Sequence, residues 1–241
     1  MVERFNGVVL RTIKYSDSLM IADMYTQSHG RLSFLVPISS NRRSRVRNVL
    51  FQPLSILSFT ASYRNGKSMS RLSDVQPAVL YSSIPYDITK SAIAMYLAEF
   101  LSSVLREEYE NDALFSFLSA SFDWFDKADS NYADFHILFL VQLTRFLGIY
   151  PNVEDFSDGC YFDLVAGCLV QEPPLHSQYL LPEDTRNFIE LLSIDFSSLH
   201  SVTLNRKARG EYLALLQNYY RLHVPDFPEL KSAEVLRELF N

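Results

Sequence analysis

Residues 7–37 read GVVLRTIKYSDSLMIADMYTQSHGRLSFLVP. Three apolar runs, rich in β-branched and aromatic residues, are separated by the turn-forming pairs Ser16-Asp17 and His29-Gly30. No helical spacing runs through them, so the stretch predicts three strands joined by short turns. Gly30 suits a tight hairpin, because a residue without Cβ enters positive φ at no steric cost. Two more runs continue the pattern. LSILSFTASY and KSMSRLSDVQ flank Asn65-Gly66, a pair that signals a hairpin. Five strands within residues 1–80 are enough to close a small barrel, which leaves no open sheet edge. The long gap at 38–53, between the third and fourth runs, matches the long connection of a five-stranded Greek-key barrel. It favours an OB-like over an SH3-like connectivity.

Beyond residue 80 the period becomes helical. Ile93, Tyr96, Leu97, Phe100, Leu101 and Val104 recur at three- and four-residue steps and predict a helix over 88–107. Further helices are expected at 112–127, 132–148, 182–192, 205–222 and 232–240. The one at 132–148 is apolar on more than one face, as a buried central helix would be, and Ser232 is the expected N-cap of the last. Between 149 and 181 the helical pattern fails, and a loop-rich insertion with one hairpin is expected. The predicted fold is therefore α+β and multidomain. An OB-like barrel spans residues 1–80, and an α-helical domain spans residues 81–241 with the insertion inside it.

Composition narrows the function. The chain has 241 residues, 48% of them hydrophobic and only 21% charged, so a packed core is expected rather than disorder. The longest apolar run, FHILFLVQL, is interrupted by His136 and Gln142 and is too short for a membrane span. The start, MVERFNGVVL, lacks signal-peptide architecture, and a cytoplasmic protein is expected. With seven glycines there is no Gly-rich phosphate loop, and no metalloprotease or nucleophile-elbow motif occurs. His29, His136, His176, His200 and His223 are scattered. Cys160 and Cys168 do not make the two close-spaced pairs that a structural zinc site uses. No catalytic residue, cofactor or metal is expected, and the chain reads as a non-enzyme.

Charge carries the functional signal. The net charge is -6, yet residues 1–80 hold eleven Lys and Arg against four Asp and Glu. The remainder holds eleven against twenty-four. Such a split marks a candidate nucleic-acid-binding half, set against the plainer reading of solvated surface charge. Its densest point is SSNRRSRVRNVLFQPLSILSF, residues 39–59, where Arg42, Arg43, Arg45 and Arg47 stand without a nearby acid. Arginine suits phosphate because its planar guanidinium forks onto two oxygens. Arg31, Arg64, Lys67 and Arg71 fall on the predicted hairpins and extend the basic track. Single strands also need aromatic faces for bases. Tyr25, Phe34, Phe51, Phe59 and Tyr63 are the candidates, each competing with a place in the core. No recognition helix is apparent, so binding without sequence preference is expected.

Taken in order, these motifs resemble the RecO family of bacterial DNA repair and recombination proteins. The features that carry the resemblance are the turn at 15–19, the His29-Gly30 hairpin, the basic stretch from Arg42 to Arg47, and the Leu-x-Pro segment at 50–54. FLGIYPNV at 146–153 is similar to the family's Leu-Gly-x-x-Pro helix end, and PELKSAEVLREL at 228–239 to its closing helix. The resemblance covers essentially the whole chain.

It implies an N-terminal OB fold and a helical C-terminal domain. It also implies binding of single- and double-stranded DNA, annealing of complementary strands, and help in loading a recombinase onto coated single strands. RecR and the acidic C-terminal tail of single-strand-binding protein are the implied partners. Many members carry a four-cysteine zinc module after the central helix. Here FSDGCYFDLVAGCLVQEPP, residues 156–174, keeps only Cys160 and Cys168, so a metal-free remnant of that module is expected. Arg206, Lys207 and Arg209 are further candidates for DNA, and Arg145 for the acidic tail. Two other readings stay open: an OB-fold adaptor that binds protein, and an RNA-binding OB module.

Overall fold

In the computed structural model, which describes residues 2–38, 49–62, 69–106, 109–196 and 204–240, the opening stretch forms an antiparallel meander. Its strands are β1 (Val2–Lys14), β2 (Leu19–Thr26) and β3 (Gly30–Pro37). Gly30 has φ 63°, and Thr26 holds the hairpin by donating from Oγ1 to the Gly30 carbonyl at 2.8 Å. β4 (Ile56–Ser62) pairs antiparallel with β1. The fifth predicted run divides into β5 (Ser70–Arg71) and β6 (Ser73–Pro77) around the buried Leu72.

The sheet order is β5-β3-β2-β1-β4-β6. β5 pairs parallel with β3, while β6 pairs antiparallel with β4. One short stretch, 70–77, thus meets both sides of the meander and curls the sheet. The five-stranded barrel expected from the sequence is in fact a six-stranded, curled, mixed sheet of OB-like character. The reason is local: Leu72 turns inward between two pairings that no single regular strand satisfies.

Phenylalanines fill the curl. Phe5 stacks on Phe59 with centroids 5.4 Å apart, and Phe34 meets both edge-on. At Gly7, a Cβ would lie 3.3 Å from both Met24 Cε and Phe59 Cε1, so glycine lets β1 run against these side chains. The β1–β2 register shifts between Val9 and Arg11, a bulge that leaves Leu10 over and kinks β1. Val8, Val9 and Leu10 are all buried. β1 therefore has no solvated face here, and α1 (Ile88–Val104) packs against it.

Compactness divides the chain into Met1–Ala128 with Glu229–Phe240, and Asp129–Pro228. The first unit joins the sheet to α1, α2 (Asp112–Lys127) and α6 (Ser232–Leu239). Asp87 and Asn111 cap α1 and α2, each accepting from a backbone N–H three residues on. α6 begins differently. Ser232 is not its N-cap; the backbone N–H groups of Lys231 and Ser232 donate to the Glu99 carboxylate on α1, at 3.1 and 2.8 Å. The Ser232 hydroxyl donates to the same carboxylate, so the cap comes from a neighbouring helix.

The connection from sheet to helices is held at Asp126, near the end of α2. Its carboxylate accepts from the backbone N–H groups of Ser82, Ser83 and Ile84 at 2.7–2.9 Å. Burial opposes the charge on Asp126, yet these donors outweigh it and hold the carboxyl below the usual range. Lys90, buried on α1, donates to the carbonyls of Asp126 and Ala128 at 3.0 and 2.7 Å and so completes the end of α2.

The second unit is built around α3 (Phe135–Phe146), in which every side chain from Phe135 to Val141 is buried. It also contains α4 (Pro182–Ser193) and α5 (Arg206–His223). Tyr220 of α5 donates to the Leu140 carbonyl at 2.8 Å. The insertion holds β7 (Tyr161–Asp163), β8 (Cys168–Val170) and β9 (Tyr179–Leu180). The expected hairpin is β7–β8, and β9 adds to the other side of β7. Phe162 anchors this small sheet against Phe188 of α4 and Tyr219 of α5. Cys160 and Cys168 are free thiols, and no metal-binding cluster of His, Cys, Asp or Glu occurs among the described residues. None of the described helices is long and apolar enough to cross a membrane.

His136 lies wholly inside α3's surroundings. Burial, reinforced by the Arg209 charge, pushes it down from 6.5 to about 3. The unfolded chain takes up that proton near 6.5 and the folded one does not. Stability is therefore fully present above that value and falls as pH drops towards 3. His136→Phe is expected to flatten the loss of unfolding free energy between pH 6 and pH 4 by up to about 1.4 kcal/mol per pH unit, read by urea titrations across that range. Asp126→Ala leaves three backbone donors without their acceptor. It should cost roughly 2–4 kcal/mol in unfolding free energy by urea titration at neutral pH.

Candidate nucleic-acid interface

The cations of the sheet fall into two groups. Arg11 and Arg31 converge on Asp23, a buried carboxylate on β2. Arg11 lies opposite Asp23 in the β1–β2 ladder, and Ser33 lies opposite it in the β2–β3 ladder. Arg11 donates through Nη2 at 2.6 Å and Nε at 3.1 Å, and Ser33 Oγ donates at 2.6 Å. Burial opposes the charge on Asp23, but the Ser33 and Arg11 hydrogen bonds and the two guanidinium charges prevail, and its carboxyl sits below the usual range.

Arg31 reaches further. Its Nη2 lies 3.4 Å from Asp23, and its Nη1 donates to the carbonyls of Ser102 at 2.6 Å and Leu105 at 3.2 Å. Those carbonyls are the open end of α1, where positive charge is favoured. Arg31 is thus a strut between sheet and helix. Lys14 is paired too, with Asp17 at 2.9 Å.

Arg71 belongs to the other group: it is exposed on β5, at the edge pairing with β3. Arg42, Arg43, Arg45, Arg47, Arg64 and Lys67 lie outside the described residues. Their flanks are tied down. The Ile38 N–H donates to the Ser18 carbonyl at 2.7 Å, and Phe51 is buried in the sheet's core. The segment carrying Arg64 and Lys67 joins β4 to β5, where the Ser70 hydroxyl donates to the Ser62 carbonyl.

The aromatic candidates separate from these cations. Tyr25, Phe34, Phe51 and Phe59 are all core residues, and Tyr63 lies outside the described residues. Burial, with a contribution from Tyr109, pushes the Tyr25 hydroxyl up to about 12. Among the described aromatic residues of the sheet, the ring that reaches solvent is Tyr15, 63% exposed between β1 and β2, which the sequence candidates omit. The signal for it was present: Tyr15 stands where strand alternation ends, directly before the turn residues Ser16-Asp17.

In the second unit the three α5 cations diverge. Arg206 and Lys207 are exposed, with Lys207 3.5 Å from Glu211. Arg209 instead donates from Nε to the buried Asp134 at 2.6 Å and from Nη2 to the Leu204 carbonyl at 3.1 Å. Arg145 is exposed on α3. Its guanidinium lies 3.8 Å over the Tyr150 ring and donates to Gln142.

Arg31→Ala is expected to lower the unfolding free energy by roughly 2–3 kcal/mol, because it leaves helix carbonyls and part of a buried carboxylate unmatched. Arg71→Ala should stay within about 0.5 kcal/mol of the parent. Urea titration of the two variants checks both.

The family model for the recombination protein O N terminal matches residues 1–81, and that for its C terminal matches residues 85–233. The DNA repair protein RecO of Phocaeicola vulgatus is 44% identical over 241 residues, all of both chains. That of Bacteroides fragilis is 43% identical over 242 residues, again all of both chains. RecO of Flavobacterium psychrophilum is 33% identical over 98% of each. With both halves matched in order and relatives aligned end to end over a curled, OB-like sheet followed by helices, the chain belongs to the RecO family of DNA repair proteins.

Proposed function

We propose that this chain binds single- and double-stranded DNA without sequence preference, anneals complementary strands, and assists recombinase loading on coated single strands. The observation that supports this most is the charge balance of the sheet. Its two paired acids, Asp23 and Asp17, are matched by Arg11, Arg31 and Lys14. Glu3 faces His29 at 3.1 Å, and Asp74 accepts from Thr60. Arg71 is exposed, and by sequence residues 1–80 carry eleven Lys and Arg against four Asp and Glu. Strand annealing needs this kind of surplus, since two polyanions approach only when cations screen them.

The phosphate grip is assigned to Arg42, Arg43, Arg45 and Arg47, with Arg64, Lys67 and Arg71 extending it. Arg31 and Arg209, already engaged with buried carboxylates, are assigned structural roles. Arg206 and Lys207 offer further phosphate contacts from the second unit. RecR and the acidic tail of single-strand-binding protein are the proposed partners. Arg145, held flat by Tyr150, is the proposed contact for that tail, and the insertion at 149–181 is read as the metal-free remnant of a zinc module.

The test is annealing of complementary DNA strands across a salt series, with Arg42, Arg43, Arg45 and Arg47 all changed to Ala. The parent should anneal. The variant should lose activity, and its slope of log affinity against log salt on single strands should fall by roughly 3, at about 0.7 per phosphate contact. Equal behaviour of the two proteins would remove the grip from this segment. Preference for RNA over DNA, or partner binding without DNA affinity, would replace the proposal with one of its rivals.

A further inference from the structure

We infer that Tyr15 is a stacking platform for an unpaired base, and that it gives the sheet a preference for single strands over duplex. The inference rests on the DNA-binding reading above and names a residue and a ligand feature within it: the exposed face of a nucleobase. Residues 2–80 contain six described aromatic residues, and five of them are buried: Phe5, Tyr25, Phe34, Phe51 and Phe59. Tyr15 alone among these six presents its ring to solvent.

Its position is held by backbone rather than by ring contacts. The N–H groups of Tyr15 and Ser16 both donate to the Leu19 carbonyl, at 3.0 and 2.9 Å, and the Ser18 N–H donates to Ser16 Oγ at 3.3 Å. A ring carried on a pinned turn loses little freedom when it is covered, which favours binding. The same turn is also tied to the chain just after β3. Ser18 receives the Ile38 N–H, and Ile38 directly precedes the arginine-rich stretch in sequence.

Tyr15 is also separable from the phosphate grip. Its neighbour Lys14 is already paired with Asp17, so the turn brings little net charge of its own. A ring stacked on a base adds affinity that salt does not screen, whereas arginine–phosphate contacts set the salt slope. In duplex DNA the base faces are covered by their neighbours, and the ring has nothing to stack on.

The experiment measures binding of the parent, Tyr15→Ala and Tyr15→Trp to three fluorescent probes of equal length: oligothymidylate, an abasic single strand, and a duplex. The parent and Tyr15→Trp should favour oligothymidylate over the abasic strand. Tyr15→Ala should bind oligothymidylate roughly 5- to 100-fold more weakly with an unchanged salt slope, while its abasic and duplex affinities match the parent. If Tyr15→Ala binds oligothymidylate as the parent does, the stacking role is wrong and DNA binding stands. Equal weakening on all three probes also overturns it, since the residue then supports the fold or the phosphates. If the parent binds none of the probes, the DNA-binding reading fails and takes the platform with it.

Discussion

A buried carboxylate at the centre of a strand organises the first unit. Asp23 sits on β2 between two ladder partners, Arg11 on β1 and Ser33 on β3, and both donate to it. An isolated carboxylate in such a place costs several kcal/mol, and removing its partners one at a time exposes that cost. With the partners present, the same group ties three strands together on the face opposite the phenylalanine core. It also orients Arg31 so that the rest of its guanidinium meets the carbonyls ending α1. The sheet and its first helix are thereby held at one point by one acid and two bases.

The same chemistry recurs at several other junctions between elements. Asp126 gathers the backbone N–H groups of the 82–84 connection, and Glu99 gathers those that open α6. Asp134 takes Arg209 and the Leu204 N–H. Lys90 and Arg31 do the converse, supplying donors to helix carbonyls. Glu99, Lys90 and Arg31 act as non-local caps, satisfying groups that a helix leaves unmatched at its end, while Asp126 and Asp134 fix the segments leading into a helix. Several cations and acids are withdrawn into the framework in pairs, whereas Arg71 stays exposed.

That division changes how the candidate site is read. A count of arginines weighs Arg31, Arg71 and Arg209 alike. Their surroundings do not, since Arg31 and Arg209 are struts and Arg71 faces solvent. The aromatics behave in the same way. Alternation places Phe5, Phe34 and Phe59 inside a curled sheet, where they build its core, and leaves the ring at the end of β1 outside.

Local pattern by itself determined the strands of the meander, the helices after residue 80, the turn at Gly30 and the failure of helical period across 149–181. Each depends on side-chain periodicity or on the backbone preference of one residue, and those are properties of neighbours in sequence. The sequence also carried the charge split and, through the order of its motifs, the family. Tertiary structure alone decided that the fifth run breaks at Leu72, that Glu99 rather than Ser232 caps α6, and that β9 joins the insertion's hairpin. It alone sorted cations into struts and surface groups, because their partners are remote: Arg31 meets Ser102 across 71 positions and Arg209 meets Asp134 across 75. A side chain's charge is written in the sequence, but whether that charge is matched depends on what folding brings beside it.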